Sequence, residues 1–313
     1  MLDVLCLGIM VADVVARPVR ELPARGRLVL ADQMELHSGG CAVNTAIALA
    51  KLGLSAGVMG KVGQDGFGDF ILRELKRYGL EVSGIKRTPE ANTSATMVLV
   101  EPDGERRFIH YLGANAELVE EDLNWRLIEG SRILHIAGSL VMPGIDGLPT
   151  ADILRRAHER GVITALDTVW DAKGRWLEVI EPCLPHIDYF LPSLEEARMI
   201  TSLHAPSEIA LFFLDRGVGV VALKMGEEGC YLRSPDEELR IPAYDVVGID
   251  TTGAGDAFVA GFLTGVVKGW DLKQTGYLAN AVGALCITAI GATTGVRSFD
   301  ETLRFIEETP TKG

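Results

Sequence analysis

Seven consecutive residues carry the strongest chemical signal in the chain: Asp250-Thr251-Thr252-Gly253-Ala254-Gly255-Asp256. Gly253 and Gly255 flank a turn, and residues 257–267 are apolar at helical spacing. Such a turn leaves the first N–H groups of the helix unpaired and pointing outward, with the positive end of the helix dipole behind them. The amides of Gly253, Ala254 and Gly255 can therefore hold an anion, including the charge that develops on a phosphoryl group in transfer. Asp256 would repel phosphate. Its chemistry is that of a base taking the proton from an attacking hydroxyl, and the dipole is expected to keep it ionised. Taken alone, the same aspartate could be an ordinary helix N-cap.

A second glycine pair opens another helical pattern: Ser38-Gly39-Gly40-Cys41-Ala42-Val43-Asn44-Thr45. Gly39 and Gly40 would let a polar ligand approach the backbone, and Asn44 can both donate to and accept from sugar hydroxyls. A glycine-rich turn with a capping asparagine reads the same residues equally well. Asp13 follows an apolar run that starts before Gly8, and strand ends of parallel sheets face the ligand crevice; the other reading is a surface-loop aspartate. Other nucleotide signals are weak. There is no Gly-x4-Gly-Lys-Ser/Thr, and Gly217-Val218-Gly219-Val220-Val221-Ala222 sits before and within a strand, whereas the dinucleotide fingerprint follows a strand and opens a helix.

Positioning these groups requires a scaffold. Strands are expected at 4–8, 57–62, 133–136, 163–167, 189–191 and 218–224, alternating with helices at 42–52, 67–78, 148–160, 194–201 and 206–216. That alternation predicts an α/β fold with a mostly parallel sheet and helices on both faces. Two pieces depart from it. Residues 27–37 alternate polar and apolar, and 94–111 read as a hairpin turning at Pro102-Asp103-Gly104. They predict a small half-exposed antiparallel sheet, inserted from about 14–37 and 92–112, that serves as a lid or as an oligomerisation surface. No repeat or linker divides the chain, so 1–313 is expected to form one domain.

Composition narrows the function further. The 313 residues hold 30 Lys+Arg against 43 Asp+Glu, a net charge of −13, which argues against nucleic-acid or anionic-membrane partners. It leaves open a small phosphorylated ligand held by backbone dipoles and a metal ion. The 48% hydrophobic content suits a globular protein, and 35 glycines exceed the average share of roughly 7%. Five cysteines with no CxxC pair read as reduced thiols, and the start Met1-Leu2-Asp3 shows no basic leader region, so a cytoplasmic location is expected. The uncharged stretch 277–296 is rich in Ala, Gly and Thr and reads as a buried helix entering a glycine-rich loop rather than a membrane span.

In their order along the chain, strand–Asp13, Gly39-Gly40-x3-Asn44 and Asp250-Thr-Thr-Gly-Ala-Gly-Asp256, these pieces resemble the ribokinase-like (PfkB) carbohydrate kinases over essentially the whole length, from residue 4 to about 305. The resemblance implies a three-layer α/β/α fold and an ATP-dependent transfer of the γ-phosphoryl group to a sugar hydroxyl. Asp256 would be the base, the amides of Gly253, Ala254 and Gly255 the anion hole, and Asp13, Gly39, Gly40 and Asn44 the sugar pocket. Leu191-Pro192-Ser193-Leu194-Glu195-Glu196 is similar to the family's Asn-x-x-Glu region, with Ser193 where asparagine is usual. Glu196 is expected to organise Mg²⁺ through water. Lys224, Gly226 and Gly229 resemble the family's nucleotide loop, with Lys224 either neutralising phosphate or standing at the surface; Thr252 and Asn280 are grouped with the cofactor residues. Asp250 and the carbonyls of Thr252, Cys286, Ala289 and Gly291 would supply a K⁺ site.

For the acceptor, strand alternation sends Arg107, Ile109 and Tyr111 to one lid face and Arg106, Phe108 and His110 to the other. Arg107 and Asn115 are taken as candidates for contacting the sugar, and a lid pairing could make a homodimer. No lysine or arginine accompanies Gly39–Asn44, which favours an unphosphorylated acceptor of the fructose, ribose or 2-keto-3-deoxygluconate kind. A nucleoside (adenosine-type) kinase of the same fold and a catalytically idle sugar-binding protein are the alternatives.

Overall fold

Val4 and Cys6 pack to one side of the first strand while Leu5 and Leu7 pack to the other, all fully buried. A strand apolar on both faces belongs in the middle of a helix-covered parallel sheet. The computed structural model, which describes residues 1–102 and 105–312, shows that arrangement. In chain order the strands are β1 (Leu2–Gly8), β2 (Val11–Arg17), β3 (Gln33–Gly39), β4 (Ala56–Gly63), β5 (Glu81–Thr88), β6 (Ala95–Val100), β7 (Arg106–Tyr111), β8 (Ser131–Ser139), β9 (Ile163–Thr168), β10 (Tyr189–Phe190), β11 (Val220–Lys224), β12 (Cys230–Arg233) and β13 (Glu238–Ile241).

Nine of them form one sheet in the order β13-β12-β11-β10-β9-β8-β1-β4-β5, parallel except for the antiparallel β11-β12-β13 edge. The helices Cys41–Lys51, Ala254–Lys268 and Leu272–Cys286 cover one face through Ala46, Phe262 and Leu278; Leu148–His158 and Pro206–Leu214 cover the other through Leu154 and Phe213. Each large aliphatic side chain buried this way contributes about 1.5–3 kcal/mol. The helix Leu272–Cys286 is the buried helix expected in the uncharged stretch; among the described residues no helix is long and apolar enough to cross a membrane.

The other four strands form the small sheet, in the order β3-β2-β6-β7. Its two antiparallel pairs, β2-β3 and β6-β7, are joined by parallel pairing of β2 with β6. The expected hairpin at 94–111 is β6-β7; of its turn, Asp103 and Gly104 lie outside the described residues. Pairing in the alternating segment begins only at Gln33. Strands β5, β12 and β13 were not anticipated: β5 and β13 carry polar residues at exposed positions, and β12, though buried, is only four residues long.

Alternation divides the small sheet into two unlike faces. The row His37–Asp13–Thr96–His110 and the next row, Glu35–Val15–Val98–Phe108, face the large sheet's crevice. The row Leu36–Val14–Met97–Ile109 faces away from it.

Candidate active site

The helix Ala254–Lys268 begins at Gly253, whose φ of 76° is left-handed and whose missing Cβ would stand 2.4 Å from the Ala292 carbonyl oxygen. Only glycine fits there at no cost. The turn it makes separates two cavities. One, of about 290 Å³, is lined by Lys224, Gly226, Gly229, Ala254, Gly255 and Asn280. The other, of about 670 Å³, lies under the small sheet and is lined by Asp13, Gly40, Asn44, Gly253 and Asp256 among others. Thr251 borders both. The helix start, where the Ala254 N–H donates to the Thr251 carbonyl at 3.2 Å and those of Gly253 and Gly255 have no backbone partner among the described residues, thus stands between the smaller cavity and a space containing a carboxylate.

Asp256 is tied to the helix Cys41–Lys51. Asn44 Nδ2 donates to Asp256 Oδ2 at 2.8 Å, and Thr45 Oγ1 donates to the Asp256 carbonyl at 3.4 Å. Asn44 Oδ1 is buried and has no partner among the described residues, so its one accepting atom awaits a donor from a ligand. Gly40, at φ 92° with its would-be Cβ 2.4 Å from the Ile9 carbonyl oxygen, lets this helix start tight against the β1–β2 connection. Burial pushes the Asp256 carboxyl above its ordinary value, against the pull of the Asn44 donor, the Lys224 ammonium and the Cys41 thiol. Desolvation therefore outweighs the lowering expected from the helix dipole.

Asp13 does not stand beyond the end of a core strand, as its sequence context suggested. It lies inside β2 of the small sheet, because Gly8 ends one strand and a second begins at Val11. Its carboxylate lodges over Gly39, where a Cβ would meet Oδ2 at 2.1 Å. Burial raises it, while Thr96, His110 and His37 pull it down.

Lys224 is no surface lysine. Its ammonium contacts Asp167 Oδ1 at 2.8 Å and Oδ2 at 2.6 Å, and a Cβ on Gly255 would lie 3.4 Å from it. Burial pulls the ammonium down, but Asp167 and Glu196 outweigh it and the net direction is up. Burial pushes Asp167 up to about 7 against the pull of Lys224. Glu196 gives one oxygen, Oε2, to Thr168 Oγ1 at 3.1 Å and to the Ser193 N–H at 3.0 Å. Among the described residues no three acidic, histidine or cysteine side chains gather as a direct metal cage. A Mg²⁺ held at Glu196 through water and phosphate oxygens fits this arrangement.

Three further candidates, Arg107, Asn115 and Ser193, are placed differently from the sequence reading, and a fourth, Asn280, borders the expected cavity with its amide engaged elsewhere. Arg107 points to the outer face and pairs with Glu101 at 2.6 Å; of this strand's two arginines the one that lines the cavity is its neighbour Arg106, one residue out of phase. Asn115 spends both ends of its amide on the Met10 backbone, at 3.1 and 3.0 Å, and fastens the β1–β2 connection instead of meeting a ligand. Ser193 caps the helix Leu194–Thr201, its hydroxyl accepting from the Glu196 N–H at 3.2 Å, and does not line the nucleotide-side cavity. Asn280 borders that cavity but donates to the carbonyls of Ile241 and Pro242.

The K⁺ set does not fit as placed. Asp250 Oδ1 accepts from the Thr252 N–H and from Arg106 Nη1 at 2.9 Å, and Oδ2 accepts from the Gly291 N–H at 2.9 Å. The Thr252 carbonyl accepts from the Cys286 thiol at 3.5 Å, while Ala289 lies in the loop beyond Cys286. The guanidinium of Arg106, which also bonds Thr252 Oγ1, already occupies the carboxylate that a cation would need.

Sequence reasoning missed Arg106, Lys51 and the pairing of Asp167 with Lys224. The pairing joins positions 57 residues apart, and only the strand order β9-β10-β11 shows that their ends are close.

Comparison with known proteins agrees with this geometry. The pfkB family carbohydrate kinase model matches residues 1–298. A protein of Archaeoglobus fulgidus named an uncharacterized sugar kinase is 31% identical, over 81% of this chain and all of its own length. The 2-dehydro-3-deoxygluconokinase of Bacillus subtilis is 28% identical over 85% of this chain and 86% of its own. The crystal structure of fructokinase with bound ATP from Xylella fastidiosa superposes with a TM-score of 0.84 at 26% identity, covering 98% of each chain. A match over this much of the chain, on a sheet that brings Asp256, Asn44 and the Gly253 turn together, makes this protein a member of the PfkB family of carbohydrate kinases, which are phosphotransferases.

Proposed function

We propose that the protein transfers the γ-phosphoryl group of ATP to a hydroxyl of a small unphosphorylated sugar, with Asp256 as the base, and that it works in the cytoplasm. The observation that carries this reading is the Gly253 turn standing between the two cavities, with Asp256 and the unpartnered Asn44 Oδ1 on the acceptor side. The sugar hydroxyl lies against Asp256, which takes its proton. The hydroxyl oxygen bonds the γ-phosphorus, the bond to the β-phosphate oxygen breaks, and ADP leaves. The amides of Gly253 and Gly255 meet the charge that develops, whereas the Ala254 N–H, also expected there, is bonded to the Thr251 carbonyl; Lys224 leans toward the phosphates from beside Gly255. Mg²⁺, when bound, neutralises phosphate charge; Glu196 is the carboxylate that would hold it through water. The small sheet excludes water that would otherwise accept the phosphoryl group.

The absence of a phosphate on the acceptor is argued from its arginines. Arg17 is paired with Glu35 at 3.4 Å and Arg106 with Asp250 at 2.9 Å, so neither is a free cation for a sugar phosphate. A nucleoside acceptor is favoured by one feature, the apolar band Val15–Val98–Phe108 in the cavity roof. A panel of fructose, ribose, 2-keto-3-deoxygluconate, fructose 6-phosphate and nucleosides, assayed with ATP, decides among these. Turnover of one free sugar, falling by about 10²–10⁴-fold in Asp256→Asn, is the expected result. Turnover of nucleosides alone would replace the sugar, and equal rates in both proteins would remove Asp256 from the mechanism.

A further inference from the structure

The helix Cys41–Lys51 grips the site at both ends. Near its start Asn44 holds the Asp256 carboxylate. At its end the Lys51 ammonium donates to three carbonyls of one loop: Thr293 at 2.7 Å, Val296 at 3.2 Å and Thr294 at 3.4 Å. Among the described residues its hydrogen-bond partners are these carbonyls, and no carboxylate forms an ion pair with it. A half-buried cation surrounded by backbone carbonyls is a cation site whose cation is covalently tethered.

The loop it holds is the back wall of the anion hole. Ala292, one residue before the first of those carbonyls, packs so closely on Gly253 that a Cβ there would approach its backbone within 2.4 Å. The Cys286 thiol donates to the Ala292 carbonyl at 3.1 Å, and the Gly291 N–H to Asp250 at 2.9 Å. Without an ammonium, the carbonyls of Thr293, Thr294 and Val296 would face one another with no donor, and like dipoles so placed repel. The loop would relax away from Gly253.

We propose that Lys51 is a positioning residue for phosphoryl transfer: its ammonium clamps the 293–296 carbonyls, presses Ala292 against Gly253 and so keeps the anion-hole amides aimed at the transferring group. The proposal rests on the kinase reading given above, so its test has one arm that needs no acceptor. Amide hydrogen exchange of wild type and Lys51→Met is followed over residues 251–256 and 288–296. Faster exchange in both segments, with the large sheet unchanged, is expected; unchanged exchange at 251–256 would overturn the proposal whether or not an acceptor has been found. The kinetic arm uses the acceptor found with wild type. In Lys51→Met, kcat is expected to fall about 10–100-fold, the effect of a misplacement of an ångström or less, with KM for the sugar little changed. Lys51→Arg regains part of the rate. In Lys51→Ala, ammonium chloride restores rate where sodium chloride of equal ionic strength does not, a response that a merely structural lysine would not show. An unaltered kcat in Lys51→Met, or loss without ammonium rescue, would overturn it. Absence of turnover by wild type on every acceptor would overturn the sugar-kinase reading instead.

Discussion

Two carboxylates in the acceptor cavity, Asp256 and Asp13, are both held above the ordinary aspartate range by burial. A base works only when ionised, so as pH falls through its raised pKa the rate is lost. The acid limb of the kcat profile is therefore expected above the usual aspartate range. Asn44→Ala removes the donor that opposes this rise and should move the limb to higher pH still, with a higher KM for the sugar; a limb that stays in place would show that Asn44 does not tune the base. Lys224 and Asp167 lead to a different pH signature. A buried carboxylate raised to about 7 binds its proton more tightly when folded, so the stability it confers falls as pH rises from the unfolded value toward 7. Removing the ammonium raises it further and extends that loss. Lys224→Met should thus cost on the order of 3–5 kcal/mol, as breaking a buried pair does, with a larger deficit in Tm at pH 8 than at pH 6, and Asp167→Asn in the same chain should recover part of it. At this scale the sequence was legible where the chemistry is local. Asp256 and its glycines are neighbours in the chain, and so are Gly40 and Asn44. Arg106 and Arg107 were separable by alternation but not assignable, because a strand's two faces are equivalent until something packs on one. Lys51 carried no signal, since a lysine in the last turn of a helix usually faces water.

Among the elements, the helix beginning at Gly253 depends most on one backbone conformation. Gly253→Ala puts a Cβ at a left-handed φ and into the Ala292 carbonyl. It should cost about 1–3 kcal/mol of strain and lower kcat more than KM for ATP; a variant with wild-type kcat would mean that the turn does not shape the anion hole. The core strands and helices were readable from the sequence because each is apolar on the faces it buries, and their ends fell within a few residues of expectation. The small sheet was only half readable. Its hairpin β6-β7 announces itself by alternation, but β2 follows β1 after only two residues, Ile9 and Met10, and an apolar run that changes sheets in so short a space looks like one strand. The parallel contact of β2 with β6 is a tertiary fact that no local pattern encodes.

For the whole molecule, the outward row Leu36–Val14–Met97–Ile109 is the largest ordered apolar feature left on the small sheet. Met97 is 49% and Ile109 64% exposed, with Met34 and Tyr111 on the same face. A second copy of this chain is the occupant proposed for it, since a self-complementary apolar sheet face suits a two-fold contact. Light scattering coupled to gel filtration should give twice the monomer mass, and Met97→Glu with Ile109→Glu should return the monomer; a wild-type monomer at micromolar concentration would reject the pairing. The charge balance belongs to this scale as well. The −13 excess does not oppose the proposed nucleotide, because the smaller cavity is lined by two lysines, Lys224 and Lys312, against one carboxylate, Glu227.

One structural feature also governs how the protein comes into being. The central strand β1 precedes its sheet neighbours in the chain, yet Leu2 pairs with Ser131, and Asn44 meets Asp256 across 212 positions. During synthesis β1 leaves the ribosome long before β8, one of its two neighbours, exists, and Asp256, the proposed base, is added 212 residues after the asparagine that holds it. The proposed sugar pocket and the proposed phosphate-binding turn are therefore completed together, after the strands of both sheets have been made. A chain truncated before the Gly253 turn would hold most of the fold's apolar surface but neither the turn nor the proposed base, which makes it a substrate for quality control and not a partial enzyme.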